Sequence, residues 1–221
     1  MKLLYSSPDN MECMIVKVDR EGPSVKIIEM AVEKLMQGGV IVYPTDTAYG
    51  LGGDATNNRA VDKIYEMKGR NYGKPTHVVV RDWEMISQLC EVNDIAWKLF
   101  KAFMPGPMTL VLPDRGVLDR RLGAGTGTLG VRIPNCPLTL ALSKRMGRAY
   151  TTPSANRSGG KTPYSIEEVK KELEWEEADL VLDAGQLPLT TPSTIIDLSG
   201  VGWSVLREGP ISVNDISKVL G

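Results

Sequence analysis

VIVYPTDTAYGLGG, residues 40–53, opens as an apolar β run and breaks at Pro44. It then sets three small polar side chains, Thr45, Asp46 and Thr47, beside a tyrosine and a run of glycines. A strand that ends in hydroxyls and glycines delivers polar atoms to the rim of a sheet, which is where open α/β sheets bind their ligands. Two later stretches share the design, GVRIP at 130–134 and TTPSANRSGG at 151–160. The three are expected to converge on one pocket.

Outward from this stretch, apolar periodicity alternates between strand and helix. Residues 14–18 read as a short strand. Ser24 caps a helix with Val25, Ile28, Val32, Leu35 and Met36 on one face and Gly38-Gly39 as its stop. After a strand at 40–43, Asn58 reads as the cap of a helix bearing Val61, Ile64 and Met67. That helix closes on Lys68, Gly69 and Arg70, with positive charge at its C-terminus. Residues 76–80 read as a strand, 94–103 as a helix stopped by Pro105-Gly106-Pro107, and 108–112 as a strand. The next strand is expected at 130–133, and Pro137 suits the first turn of a helix to Met146. A strand follows at 149–152, and Ser165 with Glu168 forms a capping box for a helix to Glu174. Residues 180–182, 194–198 and 203–207 read as three strands with no room for helices between them, and Ser212 opens a last helix. The pattern predicts an α/β chain with a mixed parallel/antiparallel sheet flanked by helices, in a single domain over 1–221 with no linker.

A chain of 221 residues can bury roughly 70–75% of its unfolded surface without staples. Apolar residues make up 42% and charged residues 24%, the balance of a soluble globular protein. A net charge of −1 gives no global electrostatic case for nucleic-acid binding, although a local basic patch is compatible with it. Cys13, Cys90 and Cys136 are odd in number and far apart, which suits neither a disulfide framework nor a zinc site and points to a reducing compartment. No signal peptide is visible and no apolar run approaches the roughly 18 residues of a membrane span, so no membrane association and a cytoplasmic location are expected.

Two glycine patterns are decoys. GTGTLG at 125–130 matches the dinucleotide fingerprint, but that motif needs a strand before it and a helix after it. Here a strand follows and Pro134 blocks a helix. Gly160-Lys161-Thr162 resembles the end of a phosphate-binding P-loop, yet the position of its first glycine is Ala155, and Pro163 stands where the helix should start. The single histidine, His77, reads as a strand residue, and no Ser-His-Asp set or His/Cys metal cluster can be assembled. Chemistry without a strong nucleophile runs by positioning and charge, as phosphoryl and nucleotidyl transfers do. The cations suit that. Lys68 and Arg70 lie at a helix end with Lys74 behind them, and Arg132 and Arg207 sit inside otherwise apolar strands. Each alone reads equally as a solvated charge or as an arginine paired with Asp46, Asp183 or Asp197. An arginine between Val131 and Ile133 must nonetheless face a carboxylate, a phosphate or water. Thr151, Thr152, Ser154, Asn156 and Ser158 crowd one turn around Pro153, either as an ordinary polar turn or as donors to phosphates.

Seven stretches in order across nearly the whole chain resemble the YrdC/TsaC-like threonylcarbamoyl-AMP synthases. They are PTDTAYGLG (44–52), KGR followed by KP (68–75), PGPMTLVL (105–112), GVRIP (130–134), TPSANRSG (152–159), PSTIIDL (192–198) and VLREG (205–209). Lys68 and Arg70 together with Ser154 and Asn156 are similar to the synthase branch rather than to the YciO-type paralogues. The resemblance implies a twisted mixed α/β sheet around a deep basic cavity, in the short form that lacks a C-terminal extra domain. It implies a nucleotidyltransferase reaction in which L-threonine, bicarbonate and ATP give threonylcarbamoyl-AMP and pyrophosphate. A tRNA-modifying transferase complex then uses the product at adenosine 37 of tRNA. It also implies roles. Thr47, Arg132 and Thr152 would hold threonine. Arg70, Lys74, Thr128, Ser154, Thr162 and Arg207 would hold ATP, and Lys68, Arg70, Ser154 and Asn156 would form the catalytic set. Mg²⁺ is expected with ATP, and no protein-bound structural metal is expected. Two positions depart from the longer relatives: Val79 stands where they carry a threonine-contacting histidine, and Lys74 where they carry asparagine.

The main rival is a module that grips double-stranded RNA or tRNA without catalysis of its own, whose binding would weaken steeply with salt. Another nucleotide enzyme on the same fold, such as a carbamoyl-adenylate former or a decarbamoylase, would be separated by offering other amino acids. The near-miss P-loop gives the first prediction. Lys161→Ala is expected to leave ATP turnover within a few-fold of the parent in a pyrophosphate-release assay, whereas a loss of about a hundredfold would restore the P-loop reading.

Overall fold

The computed structural model describes residues 13–221, so the first twelve residues of the expected domain lie outside the described residues. The chain runs β1 (Met14–Lys17), α1 (Val25–Met36), β2 (Val40–Pro44), β3 (Tyr49–Gly53), α2 (Asn58–Met67), β4 (Val78–Val79), α3 (Trp83–Leu89), α4 (Asp94–Phe103) and β5 (Met108–Pro113). It continues with β6 (Thr128–Arg132), α5 (Pro137–Met146), β7 (Tyr150–Thr151), α6 (Ile166–Glu172), β8 (Leu180–Asp183), β9 (Thr194–Asp197), β10 (Ser204–Arg207) and α7 (Val213–Leu220). The α/β class and the mixed sheet are as expected, and the strands divide into two ladders. One is four-stranded in the order β1-β8-β2-β3, and the other six-stranded in the order β10-β9-β5-β6-β4-β7.

The ladders meet along β3 and β7. Leu51 N–H donates to Pro153 O at 2.8 Å, Ala155 N–H to Tyr49 O at 2.8 Å and Ala55 N–H to Ala149 O at 3.1 Å. Between them the buried Thr151 hydroxyl accepts from Gly53 N–H at 2.9 Å and donates to Leu51 O at 3.0 Å. This seam is invisible in sequence because the pattern assigns no strand to the glycine-rich residues after Pro44. They form β3 instead, which pairs antiparallel with β2 over its whole length. Close packing favours glycine at position 52, where a Cβ would stand 3.0 Å from the Ile41 side chain and 3.1 Å from the Tyr43 ring.

Local chemistry sets the helix ends, with small corrections. Asn57, not Asn58, caps α2, its side chain accepting from Arg59 N–H at 3.0 Å. Ser165 caps α6, but Glu168 accepts from Tyr164 N–H rather than closing a reciprocal box, and the helix stops at Glu172 rather than Glu174. The complete capping box is at α7, between Ser212 and Asp215. The expected strand at 76–80 shortens to β4, and α3, capped by Asp82, lies where the sequence pattern assigns no element.

Three apolar clusters hold the layers. One packs α3, α4 and α7 on the six-stranded ladder, one packs α1 and α5 against β2, β8 and Tyr150, and one packs α2 and α6 against β3 and β8. All three cysteines are free thiols. Among the described residues no helix is long and apolar enough to cross a membrane. Because Thr151→Val keeps the shape but leaves Leu51 O and Gly53 N–H unpartnered in the core, it is expected to remove about 1–3 kcal/mol of stability, read as a lower urea midpoint. An unchanged midpoint would show that the hydroxyl does not hold the seam.

Candidate active site

One cavity of about 710 Å³, counted to its open mouth, lies where the two ladders converge. Its first wall is the turn after β2. Thr45 Oγ1 accepts from Thr47 N–H at 3.1 Å and Ala48 N–H at 3.2 Å and donates to Ala48 O at 2.8 Å, a side-chain-stapled reversal that aims Thr47 into the cavity. The second wall is the end of β6. Arg132 donates from Nη2 to Asp46 Oδ1 at 2.7 Å and from Nη1 to Thr47 Oγ1 at 3.4 Å. The second Asp46 oxygen accepts from Asn135 N–H at 3.0 Å. Both members of the pair are largely buried.

The third wall is the turn after β7. Thr152 N–H donates to His77 O at 2.9 Å, and the Ser154 hydroxyl donates to the Asn156 side-chain oxygen. Asn156 Nδ2 holds Arg157 O and Gly160 O at 3.0 and 2.9 Å. Behind this turn the buried Lys68 donates to Ser154 O at 2.5 Å and Asn156 O at 2.6 Å. Burial pushes its ammonium down to about 7, with the neighbouring Arg70 charge acting the same way and Glu172 against it.

The fourth wall is the segment before β9. Thr190 Oγ1 donates to Thr47 O at 2.9 Å, and Ser193 O accepts from Arg207 Nε and Nη2 at 3.0 and 2.8 Å. Across the mouth Arg70 donates to Pro75 O at 2.6 Å. Three guanidiniums therefore line the cavity, and no carboxylate does among the described residues. Burial lowers the pKa of Arg70 and Arg207, Arg132 adding to the effect on Arg207. Among the described residues, four buried side-chain atoms lack a hydrogen-bond partner: Thr76 Oγ1, His77 Nδ1, Arg132 Nε and Ser143 Oγ. The first three belong to residues that line this cavity. A concave, cationic site with unpaired polar atoms is built for an anion with further hydrogen-bonding groups.

Of the residues singled out in sequence, the cavity takes up Thr47, Arg70, Arg132, Thr152, Ser154, Thr162 and Arg207. Lys68 and Asn156 stand behind it and brace the turn that carries Ser154. Lys74 is exposed outside the lining, and its carbonyl accepts from Tyr65 and Arg70. Thr128 lies at the start of β6, bonded to Thr126 Oγ1 at 2.7 Å, also outside the lining. Sequence reading placed Arg207 at the site but gave no role to residues 190–193 of the fourth wall. A signal existed: Thr-Thr-Pro-Ser occurs at both 151–154 and 190–193, and both copies reach the cavity, through Thr152, Pro153 and Ser154 and through Pro192 and Ser193. The decoys fall as expected. GTGTLG leads into β6, and the next helix after Lys161 begins only at Ile166.

Comparison with known proteins adds the following. The family model Sua5_yciO_yrdC, described as "Telomere recombination", matches residues 33–209. A relative from Methanocaldococcus jannaschii named putative threonylcarbamoyl-AMP synthase is 34% identical over 87% of this chain and 90% of its own length. The crystal structure of Pyrococcus abyssi Sua5 complexed with L-threonine superposes with a TM-score of 0.89 at 34% identity, over 94% of this chain but only 61% of that one. The chain thus spans less than two thirds of that longer protein. The crystal structure of Escherichia coli YciO superposes with a TM-score of 0.83 at 31% identity, over 92% of this chain and 99% of that one.

The Arg132–Asp46 pair gives a test of how the site is held. Arg132→Met strands a largely buried carboxylate and is expected to cost about 3–5 kcal/mol in chemical unfolding. Adding Asp46→Asn should recover part of that loss, since the stranded charge is gone. A parent-like melt for Arg132→Met would mean that the pair contributes nothing to the fold.

Proposed function

The chain belongs to the Sua5/YciO/YrdC family, and from that premise we propose that it is an L-threonylcarbamoyladenylate synthase, which makes threonylcarbamoyl-AMP and pyrophosphate from L-threonine, bicarbonate and ATP. The observation that carries this reading is the cavity itself, with three guanidiniums, no lining carboxylate and hydroxyls on three walls. An amino-acid carboxylate and a triphosphate together supply the negative charge that such a site lacks.

Arg132 keeps Nε free of any partner beside Thr47 and Thr152, and this wall would take the threonine carboxylate and hydroxyl. Arg70, Ser154, Thr162 and Arg207 also line the cavity and would take the phosphates of ATP; Lys74 and Thr128, outside the lining, are assigned to ATP by the resemblance alone. Lys68 and Asn156 act through the Ser154 turn. Threonine and bicarbonate first form a carbamate. A carbamate oxygen then attacks the α-phosphorus and pyrophosphate leaves. Charge builds on the leaving oxygens, and the fixed guanidiniums offset it without reorganisation. Mg²⁺ arriving on ATP would supply further neutralisation; Asp46, a carboxylate beside the cavity, is already engaged by Arg132, and no protein ligand is assigned to the metal. Transfer of the product to adenosine 37 of tRNA falls to other proteins, in the cytoplasm where ATP and tRNA are found.

The experiment is pyrophosphate release from ATP with threonine and bicarbonate each omitted in turn. Release is expected only when all three are present, and release without threonine would overturn the reading. The hydroxyl-rich wall further predicts an order of amino acids. Serine should substitute in part, while valine, which leaves buried polar groups unpaired, should turn over at least ~100-fold more slowly than threonine. Equal turnover with valine would remove the hydroxyl contact.

A further inference from the structure

His77 is the single histidine of the chain, and the roles assigned above leave it unused. It immediately precedes β4, which is in register with both neighbours: Val78 lies opposite Val131 and Thr151, and Val79 opposite Arg132 and Tyr150. One step earlier, His77 falls between Gly130 and Thr152, and its carbonyl accepts the Thr152 N–H at 2.9 Å. Side chains alternate across a strand, so His77 shares its face with Gly130 and Arg132. Gly130 makes room for the ring, since a Cβ there would stand 2.5 Å from His77 Nδ1. Nδ1 is sealed and has no partner among the described residues. Nε2 is neither sealed nor bonded, and the half-buried ring lines the cavity. The imidazole thus stands between the wall assigned to threonine, Arg132 and Thr152, and the arginines assigned to ATP.

We propose that His77 is the proton acceptor of the carbamate-forming step, working through Nε2; the inference rests on the synthase reading. Threonine enters as an ammonium, which has no lone pair for attack. Nε2 takes one of its protons. The freed nitrogen lone pair forms the N–C bond to bicarbonate, the C–OH bond breaks, and the imidazolium proton leaves with hydroxide as water. Nε2 then takes the second nitrogen proton and releases it to solvent. The sum is threonine plus bicarbonate giving threonine carbamate, water and one proton. The carbamate then attacks ATP with no further proton transfer.

The charged groups facing the ring are Arg132 from β6, Arg207 from β10 and Arg70 from the segment after α2. Burial and these three charges push the free imidazole down to about 3, so in the free protein it is unprotonated but only weakly basic. Substrate anions that pair with the arginines cancel their field and raise the basicity of the ring in the loaded site. The proton acceptor therefore strengthens as the substrate anions fill the site.

The test separates the two half-reactions. Forward turnover is pyrophosphate release from ATP, threonine and bicarbonate. The reverse assay is ATP formation from threonylcarbamoyl-AMP and pyrophosphate, which reads adenylyl transfer without the carbamate step. His77→Gln is expected to lower forward kcat by about 10²–10⁴-fold while reverse ATP formation stays within about threefold of the parent. The acid limb of the forward kcat–pH profile should disappear with it. Gly130→Ala, which pushes the ring from its place, should show the same split, and it keeps the test open should His77→Gln fold poorly. Equal losses in both directions, or unchanged forward turnover in a folded variant, would overturn the proposal. A parent protein with no threonine- and bicarbonate-dependent pyrophosphate release would overturn the synthase reading itself, and the inference with it.

Discussion

The structure depends on the seam between β3 and β7, where Thr151 Oγ1 is bonded to both Leu51 O and Gly53 N–H. Each ladder is hydrogen-bonded within itself, and the backbone bonds around Thr151 join the two edges. Three of the four walls of the cavity are referred to that seam. The turn stapled by Thr45 begins β3, Thr152 and Ser154 follow directly from β7, and β4 pairs β7 to β6, which carries Arg132. A buried edge with unpaired N–H and C=O groups is costly. Closing the edge with a side-chain hydroxyl is what brings residues 47, 77, 132 and 152 into one volume.

Within that volume the unusual feature is charge of one sign. Arg132 keeps a carboxylate partner, Asp46, which also holds Asn135 N–H and so fixes the approach to α5. Arg70 and Arg207 face only carbonyl oxygens and a hydroxyl. Carbonyl dipoles orient a guanidinium but do not neutralise it, and burial lowers the pKa of both residues. An anionic ligand paired with these guanidiniums therefore relieves an unfavourable burial of charge in the free protein.

The parts of the fold governed by local chemistry were legible. Residues 94–103 and 137–146 form the helices their periodicity and N-terminal residues predicted. The misreadings arise where non-local contacts decide. Gly50, Gly52 and Gly53 have low strand preference, yet they form β3 because they pair along β2 and lie at the seam with β7. Asn57 and Asn58 are equivalent as caps until one side chain is seen to accept from Arg59. The site divides the same way. Arg132 stood out because a charge in an apolar strand demands a partner. His77 looked like any strand residue, since its surroundings depend on which residue of β6 lies opposite. That residue is a glycine, and nothing near position 77 in the chain announces it.

Lys68 shows how the fold and the ligand are coupled. It is buried with no carboxylate on its ammonium, which donates to the carbonyls of Ser154 and Asn156. Its pKa falls from the ordinary lysine value of 10.5 to about 7, through burial first and Arg70 second. Between those two values the unfolded chain binds a proton that the folded chain does not, so this group makes folding more favourable as pH rises through that window. The turn at 154–160 pulls the other way, because a charged donor holds a carbonyl more strongly than a neutral amine does. An anion paired with Arg70 removes one of the two influences that discharge the lysine. Anion binding, proton uptake at Lys68 and a tight Ser154 turn then favour one another. A neutral donor at position 68 would brace the turn at a smaller desolvation cost, but it would not respond to what enters the cavity.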